Sequence, residues 1–297
     1  MRERGDLLRD EEDRWVVGPG IEWEHLAGRV QAAVGETIAR LPAPLRELLA
    51  VASVQGEEFV AEVVAGAQGE DTKAAIRLLS GMLSQRHRLV SARGVEWLGE
   101  QSLSRYRFRH FLFQSYLYKR LDPVERAHLH GATGRQLETL YEGQTATVAA
   151  ELARHFEQAG QLAKAAQYLS QAGERANQLS AYRESIPLLR RGLALMEKLP
   201  PSAARDRQEL DLLTPLGLAV MITQGYLAAE LSPLHTRVRE LCERRGDTAG
   251  LCSALIIVAG LCNARAEYRE ALRISEQCVS PILDTRDPVL AHVYHFQ

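Results

Sequence analysis

The sequence predicts a mainly α-helical chain with one small β-hairpin in its first half, and three observations predict it. First, Leu162-Ala163-Lys164-Ala165, Tyr182-Arg183-Glu184-Ser185 and Tyr268-Arg269-Glu270-Ala271 repeat one unit: bulky, any residue, charged, small. Each follows a short turn and opens an apolar helical stripe. Second, apolar residues recur at helical spacing along most of the chain. Third, between residues 87 and 109 the period changes to two, the mark of extended chain. The small residues Ala165, Ser185 and Ala271 mark places where two antiparallel helices approach closely, and Tyr182 and Tyr268 are expected to fill the gaps beside them. Recurrence of that unit signals stacked helical hairpins, a tetratricopeptide-like α-solenoid. Helices followed by a β-hairpin wing give the order of a winged-helix domain.

Composition sets the outer limits. The chain has 297 residues, enough for two domains or three. Hydrophobic residues make up 46% and charged residues 25%, as in ordinary globular proteins. A net charge of −2 gives no overall attraction to nucleic acid. The positive charge is nearly all arginine, since Lys73, Lys119, Lys164 and Lys198 are the only lysines. No apolar run reaches the roughly 18–20 residues that span a bilayer. The N-terminus, Met1 to Glu12, is charged and lacks the apolar core of a secretory signal. No membrane partner is expected, and the expected location is the cytoplasm. Cys242, Cys252, Cys262 and Cys278 do not form the close pairs of a zinc module. They read as small buried thiols.

Residues 1–28 look irregular, with Trp15, Trp23 and Pro19-Gly20 among charges, and read as a linker. Residues 29–122 read as the winged-helix domain. Val30, Val34, Ile38 and Leu41 share a face; Pro44 suits the first turn of a second helix carrying Leu45, Leu48, Leu49 and Ala52. A short helix is expected from Glu58 to Ala67, and another begins at Asp71 or Thr72. His87–Ser91 is expected to be extended, Arg93-Gly94 to turn, and Val95–Leu98 to return. Tyr106-Arg107-Phe108-Arg109 alternates aromatic and basic residues, as a half-buried strand does. A helix from about His110 to Leu121 closes the domain. Residues 123–297 read as helical repeats, opening with Asp122 as N-cap and Pro123 at the first helical position. Pro187 and Pro215 fall inside expected helices, where a proline costs about 3 kcal/mol, so kinks or shifted starts are expected. The last stretch, 287–297, stops in mid-pattern and reads as the open end of a truncated array, frayed for want of a polar terminal unit.

Several of these segments resemble a known group. Residues 45–59, LRELLAVASVQGEEF, resemble a segment of bacterial signal-transduction ATPases with numerous domains, the STAND class. The likeness is best to the subgroup that carries a nucleotide cyclase, kinase or transcription-factor domain ahead of its AAA-type ATPase. YRFRHFLFQ at 106–114, ERAHLHGATGRQLETLY at 125–141 and ELARHFEQAGQLAKAAQYLSQAGERA at 151–176 are similar to the same group. The resemblance implies that a nucleotide-binding domain precedes the winged helix and that tetratricopeptide repeats follow it. It implies ATP or ADP as cofactor of a full-length parent, and it places Arg109-His110 where such proteins touch the nucleotide phosphate. The chain departs from the family in one respect. A P-loop needs Gly-x4-Gly-Lys-Ser/Thr so that amides and a lysine cradle the phosphates, and no Gly-Lys pair occurs here. Nor are the paired metal-binding aspartates of a cyclase evident. The chain thus resembles the C-terminal portion of a larger regulator, or a relative that has lost its motor.

Other candidate residues are few. Arg86, Arg88, Arg93, Arg105, Arg107, Arg109, Lys119 and Arg120 outnumber Glu96 and Glu100 around the wing. Arg105 and Arg107, interleaved with Tyr106 and Phe108, suit DNA phosphates; equally they suit acidic groups of an ATPase domain. His128 and His130 lie two apart on a helix and so face apart, unlike metal ligands. No Gly-x-Ser-x-Gly nucleophile motif occurs. No metal site, catalytic residue or cofactor is therefore expected in this chain. The expected role is a non-catalytic sensor: a protein or small inducer binds the repeats, and the winged helix relays this to an upstream ATPase domain. The alternative is a transcription regulator that holds DNA with its basic hairpin; DNA is not the favoured partner. Without a Gly-Lys-Ser/Thr loop, the isolated chain is expected to give no heat of ATP binding at micromolar concentrations by isothermal titration.

Overall fold

The structure, a computed structural model, describes residues 7–9, 15–17 and 32–285. The chain divides into two compact units, Met1–Gln136 and Leu137–Gln297. The division falls inside a helix, later than the boundary expected at 122. The described residues are mainly helical, with small antiparallel sheets in the first unit. The end segment expected at 287–297 lies outside the described residues.

In the first unit, β1 (Leu7–Arg9) and β2 (Trp15–Val17) pair antiparallel, with Leu7 opposite Val17 and Arg9 opposite Trp15. Residues 7–9 and 15–17 are thus extended within the stretch expected to be irregular, and Trp15-Val16-Val17 are strong strand formers; the rest of 1–28, Trp23 included, lies outside the described residues. Helix α1 covers residues 32–39. Helix α2 (Ala43–Gln55) has Pro44 in its first turn and buries Leu45, Leu48, Leu49 and Ala52, as the spacing requires.

The short helix expected from Glu58 begins three residues late. Glu58–Val60 is strand β3, and helix α3 covers Ala61–Gln68. Gly56 at φ 136° ends α2, and the Gln55 amide clasps the chain beyond it. Its Nε2 donates to the Val60 carbonyl at 3.3 Å and its Oε1 accepts from the Val60 N–H at 3.0 Å. Asp71 caps α4 (Thr72–Arg77) by accepting from the Ala74 N–H at 2.9 Å, and the chain continues as a π-helix over Leu78–Arg86.

Strands β4 (Val90–Leu98) and β5 (Gln101–Phe108) form the hairpin, and the sheet order is β3-β5-β4. Two expectations are corrected here. Extended pairing begins at Val90 rather than His87, because Arg88 takes a left-handed φ of 54°. Arg93-Gly94 is no turn: β4 runs through it as a bulge between Ala92 and Gly94, and Gly99 at φ 60° makes the reversal. Period two holds at the end of β5, where Tyr106 and Phe108 are buried on either side of Arg107; Leu103 is buried too, out of that alternation. Phe59 stacks on Tyr106 at 5.9 Å and tilts against Phe108 at 5.3 Å, joining the sheet to the core of Leu49, Val64, Leu79 and Leu83. Helix α5 (Phe111–Arg120) follows, then α6 (Pro123–Leu140), whose first N–H groups reach the Asp122 carboxylate at 2.8 and 2.9 Å.

The second unit is a row of helices: α7 (Ala149–Gln158), α8 (Leu162–Gln178), α9 (Tyr182–Met196), α10 (Ala203–Gln224), α11 (Leu231–Arg245), α12 (Thr248–Ala264) and α13 (Tyr268–Thr285). Each packs on the next, and α8 also meets α10. Gly160 at φ 73° stops α7, Gly246 at φ 65° stops α11, and Ser202 and Asp247 cap α10 and α12. Ala165 and Ser185 are fully buried and Ala271 is nearly so, as their spacing suggests. The bulky partners behave differently: Tyr182 is half-buried and Tyr268 is 67% exposed, so Tyr268 fills no gap among the described residues.

Glycines absent from the repeat unit make the tightest seams. A Cβ on Gly173 would lie 2.5 Å from both Cγ and Cδ2 of Leu189, and one on Gly192 would strike Leu212. At the first seam the Ser185 hydroxyl donates to the Gly173 carbonyl at 2.9 Å. Two substitutions test this packing by chemical denaturation. Ala165→Leu is expected to cost about 1–3 kcal/mol by overpacking. Gly173→Ala gains just under ~1 kcal/mol of helix propensity, which the clash with the Leu189 branch point is expected to exceed, for a net loss. An unchanged midpoint in both would mean that the helices do not approach there.

Candidate functional site

The second unit carries a groove of about 1270 Å³. Alternate helices α8, α10 and α12 line it, with help from α11. Its α8 wall is polar: Gln167, Gln171, Glu174 and Asn177 recur every three or four residues and so share one side of the helix. Leu218 and Met221 of α10, Val238 of α11 and Ile257 of α12 supply apolar surface.

The wall is held by the proline that the sequence places inside α10. Pro215 has no N–H, so the Asp211 carbonyl one turn earlier loses its helical donor. Ser170 of α8 donates its hydroxyl to that carbonyl at 2.7 Å, and the Asn177 Nδ2 donates to the Pro215 carbonyl at 2.9 Å. Ser170 and Asn177 thus tie α8 to the weakened turn of α10. The Asn177 Oδ1 and the Gln171 Oε1 are buried without a hydrogen-bond partner.

Deeper in the groove, His235 is 5% exposed, and burial lowers its pKa below the ordinary histidine value. Burial raises the Cys242 thiol, and the Asp247 carboxylate adds to this, so neither group is charged near neutrality. Cys242, Cys252 and Cys262 are buried and in no disulfide. Elsewhere in the unit the Tyr168 hydroxyl donates to Glu138 at 2.5 Å, and desolvation together with that bond raises its pKa. Among the described residues, no group of His, Cys, Asp or Glu is placed to hold a metal ion. No helix among them is long and apolar enough to cross a membrane.

The residues singled out in the first unit are in local use. His110 is the N-cap of α5, its Nδ1 accepting from the Leu112 N–H at 3.2 Å. A neutral ring whose Nδ1 accepts carries its proton on Nε2. Arg109 donates from Nε to the Val90 carbonyl at 3.1 Å. Arg105 pairs with Glu96, and Arg107 pairs with Glu57 at 3.1 Å. These acids belong to the same unit, so the arginine row of the hairpin is partly neutralised where it stands. His128 is exposed and His130 buried, as expected of residues facing apart, and the His130 Nε2 lies 3.0 Å from the Tyr118 hydroxyl.

No protein-family model matches this chain, and no curated protein matches it either.

The groove itself was not legible as a site from spacing. Gln171, Asn177 and Ser170 belong to no motif, and the one signal for them was Pro215, which orphans the Asp211 carbonyl and so requires a donor from a neighbouring helix.

The buried His235 makes a pH test available. Its folded pKa is lowered, so the unfolded chain takes up a proton that the folded chain refuses. Its contribution is therefore complete above the ordinary histidine pKa of about 6.5 and is lost as pH falls below it. Denaturation midpoints are expected to drop on acidification from neutrality, and His235→Gln is expected to flatten that slope. A slope unchanged by the substitution would mean that His235 titrates as freely in the folded chain as in the unfolded one.

Proposed function

We propose that this chain is the regulatory, non-catalytic portion of a STAND-type signalling ATPase. On this reading the first unit is a winged-helix domain and the second a tetratricopeptide-like array. An effector, a protein or a small inducer, binds the groove, and the winged helix passes the signal to a nucleotide-binding domain outside this chain. The observation that carries the reading is the groove: a wide, partly apolar channel with a polar wall. The order of helices α2, α3 and α4 before the β4–β5 hairpin supports the winged-helix assignment. His110, the N-cap of α5, is the residue for which the resemblance implies a contact to the nucleotide phosphate in the parent.

The relay is a shift of populations. An effector moves a closed–open equilibrium only by the difference between its affinities for the two states, and a change from 1:99 to 99:1 needs about 5.5 kcal/mol of such difference. The helical row is the natural place to generate it, because its seams rest on close contacts that tolerate few arrangements.

The DNA-binding alternative draws on Arg105 and Arg107, and both are engaged by Glu96 and Glu57. Exposed pairs of this kind contribute only about 0–1 kcal/mol, so they open to a phosphate, but without sequence preference.

Two measurements test the proposal. The reading frame that encodes this chain, followed upstream, is expected to meet an in-frame Gly-x4-Gly-Lys-Ser/Thr; a frame that meets none would overturn the assignment to a nucleotide-driven switch. Gel shifts are expected to show at most binding that fades as salt rises, the signature of counterion release alone. A footprint on a defined operator that persists at physiological salt and disappears in Arg107→Ala would favour the transcription regulator instead.

A further inference from the structure

We propose that the groove of the second unit takes a small organic cation, an amine or guanidinium compound with an apolar body, and that Glu174, Gln171 and Asn177 receive its N–H donors. This rests on the reading of the groove as the effector site and gives the effector its chemistry.

The α8 wall presents acceptors. Gln171, Glu174 and Asn177 follow one another at three-residue steps along the groove. Asn177 is only 8% exposed, and its orientation is settled by its neighbour. The Pro215 carbonyl can only accept, so the atom 2.9 Å from it is Nδ2, and the oxygen is the atom left over. That Oδ1 has no partner, and neither has the Gln171 Oε1. Between them stands the Glu174 carboxylate, and across the groove Asp211 of α10 adds a second. No ion pair engages either carboxylate among the described residues.

The cations of the groove do not cancel this. Arg207 and Arg245 are the groove's two arginines, and Arg245 donates from Nη1 to the Ala203 carbonyl at 3.1 Å. Asp247 adds a third acid, although its Oδ1 is engaged by the Gly250 N–H at 2.9 Å. Acids thus outnumber arginines along the groove.

Ammonium and guanidinium groups carry donors and no acceptor, so they complement a wall of acceptors. A carboxylate ligand would meet uncompensated oxygens and like charge, which is discrimination by repulsion. Leu218, Met221 and Ile257 offer cover for an apolar body. The volume, about 1270 Å³, lies just above the ~300–1,000 Å³ of pockets that enclose a single small ligand. Because the Asn177 Oδ1 is itself buried, a ligand donor reaches it only by shifting the amide that holds the Pro215 carbonyl, so occupancy also bears on the weak turn of α10.

The test uses three probes with one apolar body and different heads: n-hexylamine, 1-hexanol and hexanoate. Each is titrated into the full chain near pH ~7, where the amine is protonated. Saturable binding is expected for hexylamine, binding about tenfold weaker or absent for hexanol, and none for hexanoate. Glu174→Gln, an exposed and isosteric change, is expected to weaken hexylamine by about tenfold, and Asn177→Ala by a similar factor. Glu184→Gln on α9, outside the groove, is expected to leave it unchanged, with far-UV circular dichroism confirming the fold of each variant. Where Asn177→Ala does not fold, Glu174→Gln decides alone. Equal binding of hexanoate and hexylamine, absence of saturation by the amine, or hexylamine affinity indifferent to Glu174→Gln would each overturn the proposal. None of these results touches the upstream P-loop on which the wider regulatory reading stands or falls.

Discussion

Helix α10 holds a proline where a helix tolerates one least, and the second unit is organised around the carbonyl that this leaves unmet. An unpaired buried carbonyl costs about 1–3 kcal/mol, so the helix persists only if a neighbour supplies a donor. Ser170 does so from α8, and Asn177 adds a second tie one turn further on. These bonds oblige α8 and α10 to lie side by side, which leaves α9 to pack against both. Gly173 and Gly192 are then the residues that let α9 come close enough. The groove follows in part from the same arrangement, since two of the helices that line it, α8 and α10, are the ones tied together at Pro215.

The charges of the second unit fit this picture of cross-ties between helices. Arg237 of α11 meets Glu209 of α10 at 2.6 Å, and the carboxylate holds the guanidinium pKa above its ordinary value. Arg190 of α9 meets Glu230, at the head of α11, at 2.6 Å, and Lys164 of α8 meets Glu138 of α6 at 2.6 Å. These pairs are partly or largely exposed, so each contributes little energy. Their use is in register: a helix shifted by a turn would set them against the wrong partners.

Much of the architecture was legible in the sequence because it depends on short-range chemistry. The Pro44 start of α2, the Asp71 cap of α4 and the Asp122 cap of α6 are each decided within a turn of the chain. The buried faces of Leu48 and Leu49, or of Leu152 and Phe156, follow from period alone. The misses arose where distant partners decide. Glu58–Val60 reads as the start of a helix until β5 is there to pair with it. Arg93-Gly94 has turn composition, yet the paired strand opposite absorbs it as a bulge. Tyr268 carries the same local pattern as Tyr182, but exposure depends on which helix lies alongside. The groove was hidden for the same reason, since Gln171 and Asn177 acquire meaning only from Pro215, thirty-eight residues beyond Asn177.

The hairpin of the first unit has a further consequence. Strand β3 covers β5 only from Arg105 to Arg107, so the main chain just before it would stand open. There the Glu62 carboxylate accepts the Ser104 N–H at 2.8 Å. A carboxylate in place of a strand closes the ladder with a group that no further strand can extend. The sheet is thus capped on that side against growth by another chain, whether a second copy during folding or a partner that adds a β-strand. What the hairpin offers instead is its side chains, with Val95 and Trp97 standing out from β4 at 59% and 69% exposure. Recognition on that side, where it occurs, runs through side chains and not through the backbone, whereas the outer edge of β4 is paired by no described strand.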